Sequence, residues 1–572
     1  MSAQVDLSGT WNTRQHEDQP DRGPGVGLGD YTGIPLTDGA RLWAESWDAS
    51  RLAMYEQQCR VHTSPYIYRG PLNLRIWEEK DPKTQEVIAI KHYISTYEQT
   101  RTIWMDGRPH PPEYAPHTWM GFSTGRWEGD RLVVTTTHIK QGWHRRNGVP
   151  QSDKTTMVEH YIRHGDTLTH IAVIHDPVYL TEPWVRSQHF VLNTRALPQR
   201  NWLWPCQPVV EVATRDPTEV PHYLPGQNPY LEESRKRAGL HPVGAGGGRD
   251  TVYPEWLKGL QPRPAAPVRP VAAPIAAPPD TEPFHVQGSV YLLAGEGGNV
   301  ALHVGDDGVL VVDSKTASAT SKILAAIQRL TNKPIRYVVN THAHDDHIGG
   351  NEVLAKAGRT RTGGNVVGNI GESAINQAAV IAHEKVLERV SAPTGERAPL
   401  PFAAWPTDTF FTDRKELLFN GEGIQILYQP DAHTDGDSIV YFRRSDVIAA
   451  GDVYVNTTYP VIDLERGGTI DGYLKALNRI IELAIPSNVQ EGGTMIIPGH
   501  GRVADEMDVV EYRDMVTIVR DRIRHLVQQG RTLDQVKAAR PTLDFDARYG
   551  SPDGFIEAIY RSLDSGGRER SR

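Results

Sequence analysis

Hydrophobic and polar residues follow a different pattern in each half of the chain. In the first half they alternate along residues 87–93, 130–138 and 167–174, with a turn at residues 128–130. Such alternation predicts β-strands with one buried face, joined by short turns. We therefore expect a mainly antiparallel β domain in this half, with a barrel as one possible arrangement.

Short apolar runs alternate with stretches of helical periodicity in the second half. Strands are predicted at residues 309–312, 335–340, 424–428, 438–442, 447–450 and 495–497, and helices at residues 320–330, 384–390, 470–483 and 509–529. This order is typical of an α/β domain, whose functional sites form where strands end.

A segment rich in proline and alanine separates the two halves. Residues 259–283 have no periodic apolar positions, which predicts an extended and solvated linker. The N-terminal domain is then predicted at residues 1–258 and the second domain at residues 284–572. With 572 residues, the chain is long enough for two separate cores.

Composition narrows the classes of function. The net charge is -9 and the isoelectric point is about 6.2, without a basic stripe, so a nucleic-acid partner is disfavoured. No apolar run approaches the roughly 18 residues of a membrane span, which leaves a small molecule as the expected partner. Ser2, Ala3 and Gln4 resemble the remnant of a removed export signal, which would favour a periplasmic or secreted location; otherwise the location is cytoplasmic.

The two cysteines, Cys59 and Cys206, both precede the linker. In an oxidising compartment they can form a disulfide, and otherwise they are two buried thiols. The sequence leaves both alternatives open.

Potential metal ligands are concentrated after one apolar strand. His342, His344, Asp346 and His347 stand within six residues. In an extended segment the first two project to the same side, and a helical turn starting near Asp345 would bring the other two to a neighbouring position. Histidine nitrogens and carboxylate oxygens suit zinc, so each pair is predicted to hold one ion.

Three further candidate ligands lie in turns that follow apolar runs: His433, Asp452 and His500. An isolated histidine, such as His285 or His383, is more often a packed or surface residue than a ligand. The dense run followed by later candidates at strand ends instead favours a metal site.

The segment His342 to His347 has the pattern His-x-His-x-Asp-His, and Ile-Gly-Gly-Asn follows it. Through these residues the region from about 284 to 540 resembles the metallo-β-lactamase superfamily, whose fold is an αββα sandwich with a dinuclear metal site. The resemblance implies two Zn²⁺ ions per chain. It implies three groups of ligands: His342, His344 and His433 for the first ion, Asp346, His347 and His500 for the second, and Asp452 bridging both.

The charges of this site favour an anionic substrate. Asp346 and Asp452 would leave two Zn²⁺ ions with a net charge of about +2, because neutral histidines add none. Such a centre lowers the pKa of bound water to about 7 and polarises a carbonyl oxygen. The expected reaction is therefore attack of a metal-bound hydroxide on an ester, lactone, thioester or amide, with a proton returned by Asp346 or by a metal-bound water.

Four more residues are candidates around the metals. Asp313, at a strand end, is predicted to orient an imidazole, with an ordinary turn residue as the alternative. Tyr454, Asn456 and Tyr459 follow Asp452 and are predicted to lie over the metals and contact substrate, with loop packing as the alternative.

Several superfamily members fit parts of the sequence. One large group of zinc β-lactamases has cysteine at the position of Asp452 and a lysine soon after, and this chain has neither, so β-lactam hydrolysis is an alternative that needs another carboxylate-binding residue, such as Arg466. Residues 341–351 look like glyoxalase II, whereas residues 433–437 and 459–463 resemble a broad bacterial group of metallohydrolases that are often exported. A ligand-binding protein with a vestigial metal site is the alternative from another class.

The N-terminal half resembles an uncharacterised domain of exported bacterial proteins, a resemblance that implies no activity. It is rich in tryptophan and histidine. His110, His117 and His138 are not spaced as a metal-binding set.

Overall fold

The computed structural model describes residues 5–14, 27–68, 73–194, 207–210, 219–237, 239, 241–253, 282–359, 377–391, 397–487 and 492–569. Two compact units are present. Unit 1 comprises Met1–Arg215, Val220–Ala276 and Thr542–Arg548, and unit 2 comprises Asp216–Glu219, Ala277–Pro541 and Tyr549–Arg572. Most of the predicted linker and the residues Ser2, Ala3, Gln4 and Cys206 lie outside the described residues, and the predicted domain limits stay a prediction.

Unit 1 is built on antiparallel strands, as the alternating pattern predicted. Its strands are β1 Gly9–Thr13, β2 Asn73–Lys80, β3 Val87–Ile94, β4 Gln99–Trp104, β5 Phe122–Glu128, β6 Arg131–Thr137, β7 Gly142–Arg145, β8 Val149–Gln151, β9 Thr156–His164, β10 Thr167–His175 and β11 Trp184–Leu192. Nine of them form a closed barrel in the order β1-β11-β10-β9-β6-β5-β4-β3-β2, and β7 pairs with β8. The β4–β5 pair is parallel, whereas the other barrel pairs are antiparallel.

The interior of the barrel is apolar around a polar centre. Trp11, Leu168 and Phe190 are fully buried in its core. Among them, the buried Arg101 donates from Nη1 to Glu159 Oε1 at 2.9 Å and from Nη2 to the other carboxylate oxygen. Burial alone would raise the pKa of Glu159, but Arg101 holds it well below its usual range. The barrel therefore supplies its own counter-charge for a buried carboxylate.

The described residues of the N-terminal half include four short α-helices: α1 Asp38–Ser46, α2 Ser64–Ile67, α3 Tyr230–Arg237 and α4 Pro242–Ala245. Cys59 is disulfide-bonded, which excludes a free thiol at this position. The neighbouring Gln58 exchanges hydrogen bonds of 2.9 and 2.7 Å with the backbone of Val209, close in sequence to Cys206.

Unit 2 contains two sheets. The first sheet consists of β12 Phe284–Gln287, β13 Val290–Leu293, β14 Val300–Gly305, β15 Gly308–Val312, β16 Ile335–Val339, β17 Ala379–His383 and β18 Asp408–Phe410. The second consists of β19 Arg414–Phe419, β20 Glu422–Gln429, β21 Asp437–Phe442, β22 Val447–Ala449 and β23 Met495–Ile497. Strands β15 to β18 are parallel to one another, as are β22 and β23.

In the part of the C-terminal half that the structure describes, the α-helices are α5 Thr320–Leu330, α6 Asp345–Ile348, α7 Asn351–Ala357, α8 Glu384–Val390, α9 Ile470–Leu483, α10 Glu506–Gln528, α11 Leu533–Ala538, α12 Asp546–Tyr549 and α13 Asp553–Glu569. Helix α10 begins three residues before the predicted start because Asp505 and Asp508 form a capping box. None of the helices in the described part of the chain is both long and apolar enough to cross a membrane.

The two sheets face each other, with helices outside. His303 of the first sheet lies 5.2 Å from Phe442 of the second, and Tyr337 lies 5.2 Å from Phe419, measured between ring centroids. On the other face of the first sheet, helices α5 and α7 share one apolar core with strands β13 to β17. This arrangement agrees with the predicted αββα sandwich.

Candidate metal centre

The seven predicted ligands converge where strands of both sheets end. His342 follows β16, Asp452 follows β22 and His500 follows β23. His433 lies in the loop between β20 and β21. Loops at strand ends are free of the sheet's backbone pairing and can direct side chains toward a common point, which is why α/β proteins place sites there.

The short helix α6 sets the direction of two of these side chains. His344 has extended backbone angles and precedes α6, and its carbonyl accepts a hydrogen bond of 2.9 Å from the backbone of His347. The chain thus changes from extended to helical between His344 and Asp346. This turn brings Asp346 and His347 to a position beside His342 and His344, as the sequence predicted.

The first group of potential ligands is His342, His344, His433 and Asp452. His344 Nδ1 lies 3.1 Å from His342 Nε2 and 2.9 Å from His433 Nε2. The Asp452 Oδ2 atom is 4.0 Å from His342 Nε2 and 3.8 Å from His433 Nε2. Three imidazole nitrogens and one carboxylate oxygen therefore face a common point.

The second group is Asp346, His347 and His500. His500 Nε2 lies 3.4 Å from His347 Nε2 and 3.1 Å from Asp346 Oδ2. The other oxygen of Asp452 is 3.2 Å from His347 Nε2 and 3.6 Å from His500 Nε2. One oxygen of Asp452 thus faces each group, which is the position that a bridging carboxylate requires.

In three of the imidazoles, the ring nitrogen that points away from the metal group, called the outer nitrogen here, is within hydrogen-bond distance of another protein group. The inner nitrogen is the one that faces the metal group. His433 Nδ1 is 2.6 Å from the Val461 carbonyl, His347 Nδ1 is 2.8 Å from Asp313 Oδ2, and His344 Nε2 is 3.0 Å from Asp463 Oδ2. Each partner accepts hydrogen bonds, so each outer nitrogen carries a proton, and the inner nitrogen is the one that could bind a cation.

The outer nitrogen of His342 also has a hydrogen-bond partner, which is the hydroxyl of Thr341. Thr341 Oγ1 donates to Asp313 Oδ2 at 2.8 Å and lies 3.1 Å from His342 Nδ1, from which it can accept a hydrogen bond. The inner nitrogens then face each other at about hydrogen-bond distance. Asp452 Oδ1 is buried and accepts no hydrogen bond of good geometry among the described residues. Such a set of nitrogen and oxygen donors fits a cation with a preference for imidazole and carboxylate, such as Zn²⁺.

Burial and charge shift the pKa values of the cluster in opposite directions. Burial lowers the pKa of His342 and of His433. Burial would also lower the pKa of His347, but the carboxylates of Asp452 and Asp313 outweigh it and raise that pKa well above its usual value. Burial would raise the pKa of Asp452, but His347 and its neighbours hold it well below its usual value.

Asp313 occupies the position that the sequence predicted for an orienting residue. Its carboxylate also accepts from the backbone of Thr341 at 2.8 Å, so that it fixes the start of the ligand-bearing segment. Asp313 has a left-handed backbone with φ of 64°, a conformation in which aspartate and asparagine are favoured over most other residues.

Asp463 is a functional candidate that the sequence did not reveal. Besides His344 it contacts Arg466, whose Nη1 donates to the same Oδ2 atom at 2.7 Å. Asp313 and Asp463 add two negative charges next to the imidazoles, which would reduce the net charge of about +2 counted from Asp346 and Asp452 alone. No local pattern links Asp463 to His344, since 119 positions separate them.

Tyr454, Asn456 and Tyr459 do not lie as predicted. All three side chains are buried instead of overhanging the metal groups. Tyr454 packs against Tyr512 of α10, and Tyr459 stacks on Phe555 of α13. The large apolar surface of these rings favours packing on the helices over exposure in a loop.

Asn456 joins two loops of the site. Its amide donates to the Arg502 carbonyl at 2.9 Å and accepts from the Arg502 backbone at 3.0 Å, and its own backbone donates to the His500 carbonyl at 3.2 Å. It therefore holds the His500 turn against the segment that follows Asp452.

Gly499 is required by the close approach of this turn to Asp452. A Cβ atom at this position would collide with Asp452 Oδ1 and with the backbone of Gly451. The glycine next to His500 thus leaves room for the carboxylate between the two groups.

One side of the centre is open. His342, His347 and His433 are at most 1% exposed, whereas the side chains of Asp346 and His500 are 34% and 32% exposed. A substrate can therefore reach the second group from solvent through Asp346 and His500.

The remaining histidines singled out in the sequence lie elsewhere. His383 stacks on Tyr428 with 3.7 Å between ring centroids, and His285 contacts the Gly288 carbonyl. In unit 1, His110 contacts two threonine hydroxyls, and His117 packs against His138. In the part of the chain that the structure describes, the only groups of three or more potential metal ligands are the two given above.

Comparison with known proteins places the fold of this region. Residues 287–486 match the family model of the metallo-beta-lactamase superfamily. Over 258 residues the chain is 24% identical to the linear primary-alkylsulfatase of Pseudomonas sp. (strain ATCC 19151), covering 40% of this chain and 47% of the relative. It is 22% identical over 202 residues to the type 2 metallo-beta-lactamase of Bacillus cereus, covering 35% of this chain and 64% of that one.

The chain thus spans about half the length of the alkylsulfatase and less than two thirds of the β-lactamase. Among solved structures, a stereoselective inverting sec-alkylsulfatase from Pseudomonas sp. has a TM-score of 0.36 at 18% identity and covers 49% of this chain and 50% of that one. A metallo-beta-lactamase family protein from Thermus thermophilus also has a TM-score of 0.36 at 18% identity, covering 50% of this chain and 94% of that one. The family match confirms the fold predicted for the C-terminal region.

Proposed function

We propose that the metallo-β-lactamase-fold region of this chain is a dinuclear zinc hydrolase that attacks the carbonyl group of a small ester, lactone, thioester or amide. The observation that supports this most is the arrangement of seven side chains in two adjacent groups, with Asp452 directed at both. Its named curated relatives, an alkylsulfatase and a metallo-beta-lactamase, are hydrolases, in keeping with an enzyme.

The proposed ligands follow the geometry of the two groups. His342, His344 and His433 would hold the first Zn²⁺, and Asp346, His347 and His500 the second, with Asp452 between them. When bound, two such ions supply hydroxide at neutral pH and polarise the bond to be cleaved.

The protein's own residues orient this centre and move protons. Asp313, Asp463 and the Val461 carbonyl fix the outer nitrogens, so the imidazoles need not reorient during the reaction. Asp346 is the most exposed carboxylate of the set, and its Oδ2 lies next to His500 at the open side. We therefore assign to Asp346 the transfer of a proton to the leaving group.

A second candidate reaction is hydrolysis of a sulfate ester. The observation in its favour is the similarity over 258 residues to a linear primary-alkylsulfatase. β-Lactam hydrolysis is a third candidate, supported by the similarity to the Bacillus cereus enzyme. A binding protein with a vestigial metal site is disfavoured, because a decayed site is expected to have lost at least one ligand, and all seven side chains come together here.

The test is a substrate panel on protein whose zinc content has been measured. It comprises a 4-nitrophenyl ester, a lactone, a thioester, nitrocefin and dodecyl sulfate, each assayed with wild type, Asp452→Ala and His383→Ala. We expect turnover of a carbonyl substrate that falls by at least about a thousandfold in Asp452→Ala. His383→Ala is the matched control, because it removes a buried histidine outside the metal groups.

The outcomes separate the candidates. Turnover of dodecyl sulfate alone would replace the carbonyl reaction by sulfate-ester hydrolysis, and turnover of nitrocefin alone would favour a β-lactamase. Zinc-loaded protein that cleaves none of the panel, or activity equal in Asp452→Ala and wild type, would contradict the proposed catalytic centre.

A further inference from the structure

An exposed arginine is linked through one carboxylate to a proposed ligand of the first metal group. Arg466 Nη1 and His344 Nε2 both contact one oxygen of Asp463, at 2.7 and 3.0 Å. The inner nitrogen of His344 faces His342 and His433. Through a single carboxylate, the guanidinium is thus placed at the rim of the centre.

The backbone that carries Arg466 is fixed on both sides. Its N–H donates to Asp463 Oδ1 at 3.0 Å, and its carbonyl accepts from the backbone of Asp435 at 2.8 Å. Gly467 then turns the chain with a left-handed φ of 79°, where a side chain would be strained. Arg466 therefore projects from a rigid turn.

Most of the hydrogen-bonding capacity of this guanidinium is unused within the described residues. Nη1 makes its one side-chain hydrogen bond, to Asp463, and the side chain is 44% exposed. A planar guanidinium with free donors at Nε and Nη2 matches the two oxygens of a carboxylate or another oxyanion. A positioned but incompletely paired arginine beside a metal centre is suited to binding an anionic substrate group.

The same loop also carries an exposed apolar residue, Val461. The Val461 carbonyl accepts from His433 Nδ1 at 2.6 Å, while the valine residue is 62% exposed. The loop that orients two of the proposed zinc ligands through Val461 and Asp463 therefore also carries an exposed apolar residue and an exposed cation. This combination fits a substrate with an oxyanion attached to an apolar chain or ring.

We propose that Arg466 is the residue that recognises an oxyanion on the substrate, held in place by Asp463, so that the enzyme selects substrates with a negatively charged group apart from the bond that is cleaved. This inference rests on the hydrolase function proposed above and specifies its substrate class.

The test compares an anionic and a neutral ester with the same leaving group, mono-4-nitrophenyl glutarate and its methyl ester, and follows release of 4-nitrophenol from each. In Arg466→Ala we expect KM for the anionic ester to rise about tenfold, with kcat and the KM for the methyl ester little changed. Arg466→Lys keeps the positive charge but lacks the planar pair of N–H donors that can bind both oxygens of a carboxylate, so it should restore only part of the affinity. Zinc content should stay at the wild-type value in both variants.

Arg479→Ala is the matched control. Arg479 is 47% exposed and pairs with an acidic residue three positions away, as Arg466 does. It lies on α9, and its partner Glu482 contacts no proposed metal ligand among the described residues, whereas Asp463 contacts His344. It should leave both KM values unchanged.

Binding of glutarate itself, measured by calorimetry on the zinc-loaded protein, gives a readout that does not need turnover. We expect wild type and Arg479→Ala to bind glutarate about tenfold more tightly than Arg466→Ala. If this difference in binding is found but neither these esters nor the carbonyl substrates of the panel are hydrolysed, the carbonyl reaction is wrong and the role of Arg466 stands. Equal glutarate binding by wild type and Arg466→Ala, or equal KM changes for the two esters, would overturn the proposal.

Discussion

The barrel interior of unit 1 and the metal centre of unit 2 both bury histidines beside carboxylates, but they balance the buried charge differently. In the barrel, Glu159 contacts Arg101 and also His170 Nε2, at 2.9 Å. At the metal centre, the side-chain ion contacts of Asp452 among the described residues are all with histidines.

The difference shows how a structural network can be distinguished from a metal site. A buried carboxylate needs a counter-charge, because an isolated charge in the interior is strongly disfavoured. In the barrel, Arg101 provides the counter-charge for Glu159. In the candidate metal centre only imidazoles among the described side chains face Asp452, and a bound cation would supply the counter-charge in place of a proton on His347. Variants at three sites test this contrast, in order of decreasing expected effect.

Removal of the barrel's own cation should have the largest effect on stability. Arg101→Met removes the arginine from the buried Glu159 and leaves it with His170 and two hydroxyls as partners. We therefore expect a loss of about 4 kcal/mol in the free energy of unfolding, measured by denaturant titration. Zinc content should not change. The control is Arg126→Met, since Arg126 is 63% exposed and pairs with Glu128.

A double variant makes this test sharper. Arg101→Met combined with Glu159→Gln removes both charges and should recover part of the lost stability. A single variant as stable as wild type, or a double variant less stable than the single one, would show that the buried pair is not what balances the barrel interior.

A third buried pair, His303 and Glu422 in unit 2, needs neither arginine nor metal. His303 Nε2 lies 2.7 Å from Glu422 Oε1, and the backbone and hydroxyl of Ser445 both donate to the same carboxylate. Burial alone would raise the pKa of Glu422, but these hydrogen bonds lower it to about 2. Hydrogen-bond donors thus stabilise the charged form here.

This lowered pKa predicts a pH-dependent stability. A carboxylate whose pKa is depressed on folding contributes stability above its unfolded pKa of about 4.3, and loses it as pH falls toward 2. Glu422→Gln should therefore be less stable than wild type by about 2 kcal/mol near pH 6, with the difference vanishing in acid. The exposed Glu416→Gln is the control, and a difference independent of pH would contradict the assignment.

The smallest effect is expected where a carboxylate acts on the metal only through a histidine. Asp313→Asn keeps the left-handed backbone but weakens the hydrogen bond that His347 Nδ1 donates to this side chain. Zinc affinity should therefore fall about tenfold in a competition titration with a chelating dye. Asp446→Asn is the matched control, because Asp446 is also buried and left-handed but contacts Tyr441 and Thr494. An equal affinity for both variants would remove Asp313 from the orienting role.

Local patterns in the sequence were sufficient for much of the fold. The strands at 87–93 and 167–174 extend by one residue in the structure, and the helix predicted at 470–483 has the predicted limits. These elements alternate or repeat regularly because one face is buried. The closure of nine strands into a barrel depends on pairings between distant strands, such as β1 with β11, which no local pattern reveals.

In the candidate site, too, features that depend on neighbouring residues could be predicted, whereas contacts between distant residues could not. The run from His342 to His347 could be recognised because four donors stand close together in the chain. Asp463 was missed because its contact with His344 is created only by folding. Tyr454 was predicted to contact substrate, but its burial depends on Tyr512, which comes from a helix far along the sequence. Side chains are thus easier to assign when their partners are local.

The central claim is that seven side chains form two adjacent zinc sites, and the most direct measurement is the number of zinc ions per chain. Elemental analysis should find about two in wild type and about one in both His433→Ala and His500→Ala, because each variant removes a ligand from a different group. The control His383→Ala should keep two. Fewer than one zinc in wild type after incubation with zinc, or two zinc ions retained in both ligand variants, would contradict the account.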